Sequence, residues 1–262
     1  MLRADARIVV VMPAFNAART LEACVADIPT GWADEIILVD DASHDDTVRL
    51  ARGLGLTVFR HHANRGYGGN QKTCYREALA HGANIVVMVH PDHQYDPRII
   101  PELVEPLLAG EADAVFGSRI LGGRTREGGM PRWKLISNVA LTRIENAVLG
   151  LRLTEFHSGF RAYSRRYLEG VRFAENSDDF VFDSEIIAQG VLAGMRMREV
   201  PIATRYFPEA SQIGFRRSVV YGLGILRMLA RYGLHVLRLR RRDQFFPVAV
   251  ARAAHDAERD VI

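Results

Sequence analysis

The sequence predicts an α/β protein, a mostly parallel sheet flanked by helices. Three observations carry that prediction. Short apolar runs recur through the first half, at 8–12, 35–39, 56–59, 85–89 and 112–116. Segments of helical length separate them, at 19–28, 45–53, 70–81 and 101–108. The runs are continuous rather than alternating, as strands covered on both faces are. Strand–helix–strand repetition of this kind calls for right-handed parallel crossovers.

Each element has its own signal. The first run is β-branched and stops at Pro13; the second stops at Asp40-Asp41. Ser43 followed by Asp46 predicts a capping arrangement at the second helix. Beyond residue 118 the alternation loosens. Gly122, Gly123, Gly128 and Gly129, interleaved with Arg124, Arg126 and Arg132, make a basic loop. Helices are expected over 133–149 and 183–193, and a late strand over 197–202.

A helix is also expected over 215–242. Its basic residues at 227, 231, 235, 238 and 242 recur in steps of three and four, beside Leu226, Met228, Leu229, Leu234, Val236 and Leu237. That pattern suits a core-packing helix with a solvated basic face, or an amphipathic helix lying on anionic lipid. Arg240-Arg241-Arg242 tilts the balance towards the membrane surface. The expected organisation is a catalytic unit over 1–212, the amphipathic helix over 213–242 and a polar tail over 243–262, frayed over its last dozen residues.

Composition narrows the classes. With 262 residues, 48% hydrophobic and 25% charged, the chain is an ordinary globular one. Thirty-four basic against 31 acidic residues give a net charge of +3, too small to argue for nucleic acid. Two cysteines make no disulfide scaffold and fit a reducing cytosol. No apolar stretch reaches the ~18 residues of a membrane span, and no secretory signal opens the chain. The expectation is a soluble or peripherally attached protein.

In such a sheet, ligands bind beyond the carboxyl ends of the strands. Those ends carry Pro13-Ala14-Phe15-Asn16, Asp40-Asp41 and His90-Pro91-Asp92, three polar loops converging on one edge. Gly66-Tyr67-Gly68-Gly69 lacks the spacing of a dinucleotide fingerprint and follows the third strand, so a nicotinamide enzyme is not indicated. His61-His62 reads as a strand-end pair, and Asn176-Ser177-Asp178-Asp179 as a turn before a helix. Tyr206 and Phe207 read as packing residues.

Val11 to Asn16, Glu35 to Ser43 and Asn64-Arg65-Gly66-Tyr67-Gly68 resemble, in order and spacing, the family 2 glycosyltransferases of the GT-A fold. His90 to Pro97, Ser158 to Tyr163 and Glu199 to Ile202 are similar to that family's dolichyl- or polyprenyl-phosphate mannosyltransferase-like branch. The resemblance runs from about residue 8 to about 235. It implies a nucleotide-sugar half over about 1–118 and an acceptor half over about 119–212.

The resemblance implies donor contacts from Pro13, Ala14, Phe15, Asn16, Asp40, Asp41, Asn64, Gly66, Lys72, His90 and Asp92. A carboxylate suits a base N–H or a ribose hydroxyl. Asp92, with Gln94 and His90, is implied to hold a divalent cation that stabilises the departing diphosphate. His90 stands where the family usually has aspartate. A neutral imidazole suits Mn²⁺ better than Mg²⁺, so Mn²⁺ is the expected ion; His90 could instead donate to the diphosphate or simply cap the strand. Ala17 likewise replaces a common acidic residue.

Ser118, Arg119, Arg132, Lys134 and Ser158 are implied to face the phosphate of a polyprenyl acceptor, with Asp92, Arg119 and Lys134 the catalytic group. A phosphate nucleophile is already ionised and needs no strong base. A sugar hydroxyl would need one, and Asp96, Glu155, Asp183 and His157 are candidates. The expected function is inverting transfer of a sugar from a UDP- or GDP-sugar to a lipid phosphate at the cytoplasmic face of the membrane. Transfer to a soluble hydroxyl, and a silent nucleotide-sugar-binding subunit, are the alternatives. A homo-oligomer is compatible with either.

Overall fold

A computed structural model of the chain describes residues 6–121, 131–204 and 214–248. Its strands are β1 (Ile8–Ala14), β2 (Glu35–Asp40), β3 (Thr57–Arg60), β4 (Ile85–Met88), β5 (Ala114–Ser118), β6 (Arg161–Ser164) and β7 (Met197–Pro201). They form one sheet in the order β3-β2-β1-β4-β6-β5-β7. Only β6 runs antiparallel to its neighbours, β4 and β5. The helices are α1 (Leu21–Ala26), α2 (Thr47–Gly53), α3 (Gly66–Ala80), α4 (Ile100–Leu108), α5 (Arg132–Leu149), α6 (Arg165–Gly170), α7 (Phe182–Leu192) and α8 (Phe215–Val236).

The continuous apolar runs follow from the layering. Ile8, Val10 and Met12 of β1 join a core with Leu21 of α1 and Leu103 and Val104 of α4. Val9 and Val11 point the other way, to Cys74 and Ala78 of α3, Ile186 of α7 and Ile225 of α8. Side chains alternate across a strand, so a sheet covered on both faces needs apolar residues at every position. Each fully buried Val or Ile contributes about 1.5–3 kcal/mol to that sandwich.

Several boundaries differ from expectation, each for a physical reason. β6 has no apolar run to announce it: Arg-Ala-Tyr-Ser enters the sheet because β4 and β5 supply hydrogen-bonding edges on both sides. Helix α3 starts at Gly66, four residues before the expected Asn70, because Asp41 accepts from the amides of Arg65 and Gly66. Ser43 does not cap α2; its hydroxyl accepts from the Asn16 amide instead.

At the far end α8 stops at Val236, with Arg238 in the left-handed region at φ +60°, rather than running to Arg242. The expected polar tail begins by folding back: Phe245 is buried against Tyr232, and the Gln244 carbonyl accepts from Gln189. Two aromatic residues outweigh the surrounding charge there. The Gly122–Gly129 loop with Arg124 and Arg126, Tyr206, Phe207 and the last dozen residues lie outside the described residues, as does the side chain of Arg132.

Candidate active site

Strands β1 and β2 end level with each other, Ala14 beside Asp40, and their loops are stitched together. The Asn16 amide donates to the Ser43 hydroxyl (2.8 Å), the His44 amide to the Asn16 side chain (2.9 Å) and the Ala17 amide to Thr47 Oγ1 (2.8 Å). Asn16 and Ala42 adopt φ of +51° and +64°, values that cost a non-glycine residue free energy and cluster at functional sites. Pro13 and Ala14 lie at the strand end, and Phe15 stands half exposed beside His44.

The paired aspartates do different jobs. Asp40 is fully buried; its Oδ2 accepts from the Ser43 amide (3.1 Å) and lies 3.4 Å from Arg60 Nε, while its Oδ1 has no partner among the described residues. Such an atom costs about 1–3 kcal/mol unless a ligand donor reaches it. Asp41 is occupied internally. Its carboxylate takes His61 Nδ1 (2.7 Å) and the amides of Arg65 (2.8 Å) and Gly66 (3.1 Å). Both are expected to read the nucleoside; among the described residues it is Asp40 Oδ1 that has no internal partner.

Around α3 the glycines are required by close approach. A Cβ at Gly66 would lie 2.7 Å from the Asp178 carbonyl, and one at Gly68 would strike the Ser177 carbonyl. The 176–178 segment therefore lies directly on the helix start. Asn64 accepts from the Gly66 amide (3.0 Å) and so shapes the turn. Lys72 reaches this segment, bonding the Asn176 carbonyl and Asp178 Oδ1 (2.8 Å), rather than standing free for a diphosphate.

His90 lies flat on Tyr67, with ring centroids 5.5 Å apart and planes 7° from parallel. A Cβ at Gly159 would fall 2.6 Å from His90 Nε2, which is buried and has no partner among the described residues. Burial first, then Arg161, pushes its pKa down to about 4, so the ring is neutral. Asp92 follows in the loop; its Oδ1 accepts from the amide of the buried Gln94 (3.1 Å). Among the described residues no three His, Cys, Asp or Glu side chains gather as a preformed metal cage. One carboxylate, an amide and a neutral imidazole nonetheless fit an ion that takes most of its ligands from a diphosphate and water.

The acceptor side is built differently. Arg119 is 7% exposed, and its guanidinium and amide engage Glu155, with Nε to Oε1 at 2.7 Å and N to Oε2 at 2.7 Å; Nη2 also donates to the His157 carbonyl (3.1 Å). Its charge is answered inside the protein by Glu155. Ser118 bonds Thr154 (2.7 Å), and Ser158 accepts from the Phe160 amide (3.3 Å); both are buried and structural. Glu199 takes the amides of Thr154 (2.7 Å) and Glu155 (3.0 Å), holding this segment to β7. Lys134, in the first turn of α5, is partly exposed, and burial followed by Arg119 lowers its pKa.

None of the four candidate bases stands ready. Asp96 binds Arg98 (2.6 Å) and caps a turn; Glu155 holds Arg119. Asp183 accepts from Tyr67 (2.8 Å) and Gln71 (3.3 Å) and lies 3.4 Å from the buried Arg161; burial raises its pKa. His157 is enclosed by Glu145 and Tyr221. The Tyr67–Asp183–Arg161 network beneath His90 escaped sequence reasoning. Its one signal was the glycine spacing around Tyr67 and Gly159, which marks where backbones meet.

The profile of Glycosyl transferase family 2 matches residues 9–172. The chain belongs to glycosyltransferase family 2. It is 32% identical over 219 residues to an uncharacterized protein of Methanocaldococcus jannaschii, covering 84% of this chain and 89% of that one. It is 27% identical to the UDP-N-acetylglucosamine–dolichyl-phosphate N-acetylglucosaminyltransferase of Methanococcus voltae, covering 86% and 98%. The fold of this glycosyltransferase matches glucosyl-3-phosphoglycerate synthase of Mycobacterium tuberculosis, solved with Mn²⁺, UDP-glucose and phosphoglyceric acid: TM-score 0.67 at 23% identity, over 88% of this chain and 81% of that one.

Proposed function

We propose that this family 2 glycosyltransferase moves a sugar, with inversion, from a nucleotide diphosphate donor to a polyprenyl-phosphate-type lipid. The observation that carries the reading is the state of the four candidate bases, each held in internal bonds, as befits an acceptor that arrives ionised. Relatives named for dolichyl- and undecaprenyl-phosphate acceptors support it.

In this reading Asp40 Oδ1 accepts from the donor base, between walls formed by Pro13 to Asn16. Asp92, with Gln94 and His90, would hold a divalent ion, Mn²⁺ by preference because of the imidazole, which supplies Lewis acidity at the leaving diphosphate. Lys134 and Arg132, at the start of α5, are the cations this reading assigns to the acceptor phosphate, with Arg119 positioning the loop beside them. The phosphate oxygen attacks the anomeric carbon in one displacement, and the nucleoside diphosphate departs from the opposite face.

No helix among the described residues is long and apolar enough to cross a membrane. Helix α8 exposes Val220 and Leu223, α5 exposes Ile136, and residues 215–242 hold eight arginines with no acidic residue. We read this surface as the seat on the anionic inner leaflet. The test is transfer from UDP- and GDP-sugars to undecaprenyl phosphate in detergent, against free sugars as acceptors. Product only with the lipid phosphate, of inverted anomeric configuration, is expected; transfer to free sugars alone would overturn the reading.

A further inference from the structure

A polar cluster lies buried where α5, α7, α8 and the 155–158 segment meet. Ser184 donates to Glu145 Oε1 (2.6 Å). The Tyr221 hydroxyl lies 2.9 Å from His157 Nδ1, and His157 Nε2 lies 3.3 Å from Glu145 Oε2. Glu145 is fully buried, and the His157 side chain is 4% exposed. Glu145 Oε2 and His157 Nε2, although 3.3 Å apart, have no hydrogen-bond partner among the described residues. Two bare acceptors facing one another would repel; one proton between them removes that repulsion.

We propose that Glu145 and His157 share a single proton, carried on Glu145, and that this neutral pair is a positioning device seating the 155–158 segment on α5 and α8. Its lever on the site is short. Glu155 holds Arg119, the His157 carbonyl accepts from Arg119 Nη2, and the Ser158 carbonyl accepts from Arg161 Nε (2.6 Å). The inference rests on the acceptor-side reading for its consequence in transfer, but the pair itself can be tested without it.

The surroundings favour the neutral state. Arg119 and Arg161 on one side disfavour an imidazolium, and their own charges are answered by Glu155 and Asp183. Tyr221 from α8 and Ser184 from α7 bring no charge. Burial pushes Glu145 up to about 8 and, with the two arginines, His157 down to about 3. The sign of the linkage follows. Between about pH 4.5 and 6.5 unfolding only moves the proton from Glu145 to His157, so the pair contributes no slope. From about pH 6.5 to 8 the folded chain holds a proton the unfolded chain has lost, so stability falls as pH rises.

The test compares the full chain with Glu145→Gln, whose amide also donates to Nε2, and with Glu145→Leu, which cannot. Three readouts apply: His157 ¹⁵N shifts from about pH 5 to 8, Tm against pH, and transfer to undecaprenyl phosphate in detergent. The wild type should show a neutral imidazole protonated on Nδ1 throughout, with Tm declining above about pH 6.5. Glu145→Gln should keep transfer within about threefold and lose the decline, whereas Glu145→Leu should lose about tenfold or more, the effect of stranding a buried nitrogen. An imidazolium at about pH 6, or a Glu145→Gln variant as impaired as Glu145→Leu, would overturn the proposal. Absence of transfer in the wild type with the expected ¹⁵N shifts would fault the acceptor reading and leave the pair standing.

Discussion

The donor edge and the acceptor side of this glycosyltransferase treat charge in opposite ways. At the donor edge a fully buried carboxylate keeps one oxygen open, and a neutral histidine lies against glycine with an unmatched nitrogen. On the acceptor side Arg119 and Arg161 are each matched to a buried carboxylate, of Glu155 and Asp183. A site that reads a nucleotide needs unsatisfied groups held rigidly. A site that takes an anionic phosphate needs its loops fixed, and here the internal ion pairs do that fixing.

Five substitutions would break or sharpen this contrast. The largest effect is expected from Glu155→Gln, which leaves Arg119 buried with its charge unanswered and should lower stability by about 3–5 kcal/mol in urea unfolding. A loss under about 1 kcal/mol would show that solvent reaches the pair. Asp92→Asn should lower transfer by about a hundredfold or more and remove the effect of Mn²⁺ on nucleotide binding, read by calorimetry, without changing Tm appreciably. Retained metal dependence would move the ion elsewhere.

Asp40→Asn should weaken nucleotide affinity by about ten- to a hundredfold, because a charge-assisted bond to the base is replaced by a neutral one. Asp41→Asn, in contrast, should lower Tm more than affinity, since its partners are the start of α3 and His61. Equal loss of affinity in both would erase the division of labour between the two aspartates. The smallest effect is expected at Lys72→Met: nucleotide affinity within about threefold and stability reduced by about 0–1 kcal/mol, as for a partly exposed pair.

Most of the sheet was legible in the sequence because a strand covered on both faces must be apolar at every position. That constraint makes β1, β2 and β4 visible without an alignment, and it aligns their carboxyl ends with the Asn16, Asp40 and Asp92 loops. β6 was illegible for the complementary reason. Four residues with arginine and serine among them carry no periodic signal, and they become a strand only because two edges await them.

The same division runs through the site. Residue type and order along the chain determined which groups sit at the sheet edge and that a nucleotide diphosphate is a plausible guest there. What those groups are bonded to was decided by tertiary structure alone. Asp40 and Asp41 are neighbours with identical chemistry, yet among the described residues one lacks a partner for Oδ1 while the other caps α3. Lys72 and Arg119 are cations of the expected type turned inward to Asp178 and Glu155. Glu145 and His157, 12 residues apart, meet only because α5 turns back at Gly150, which takes φ +70°. Hydrogen-bond partnership depends on distances of a few tenths of an ångström between segments far apart in the chain, and no local pattern encodes that.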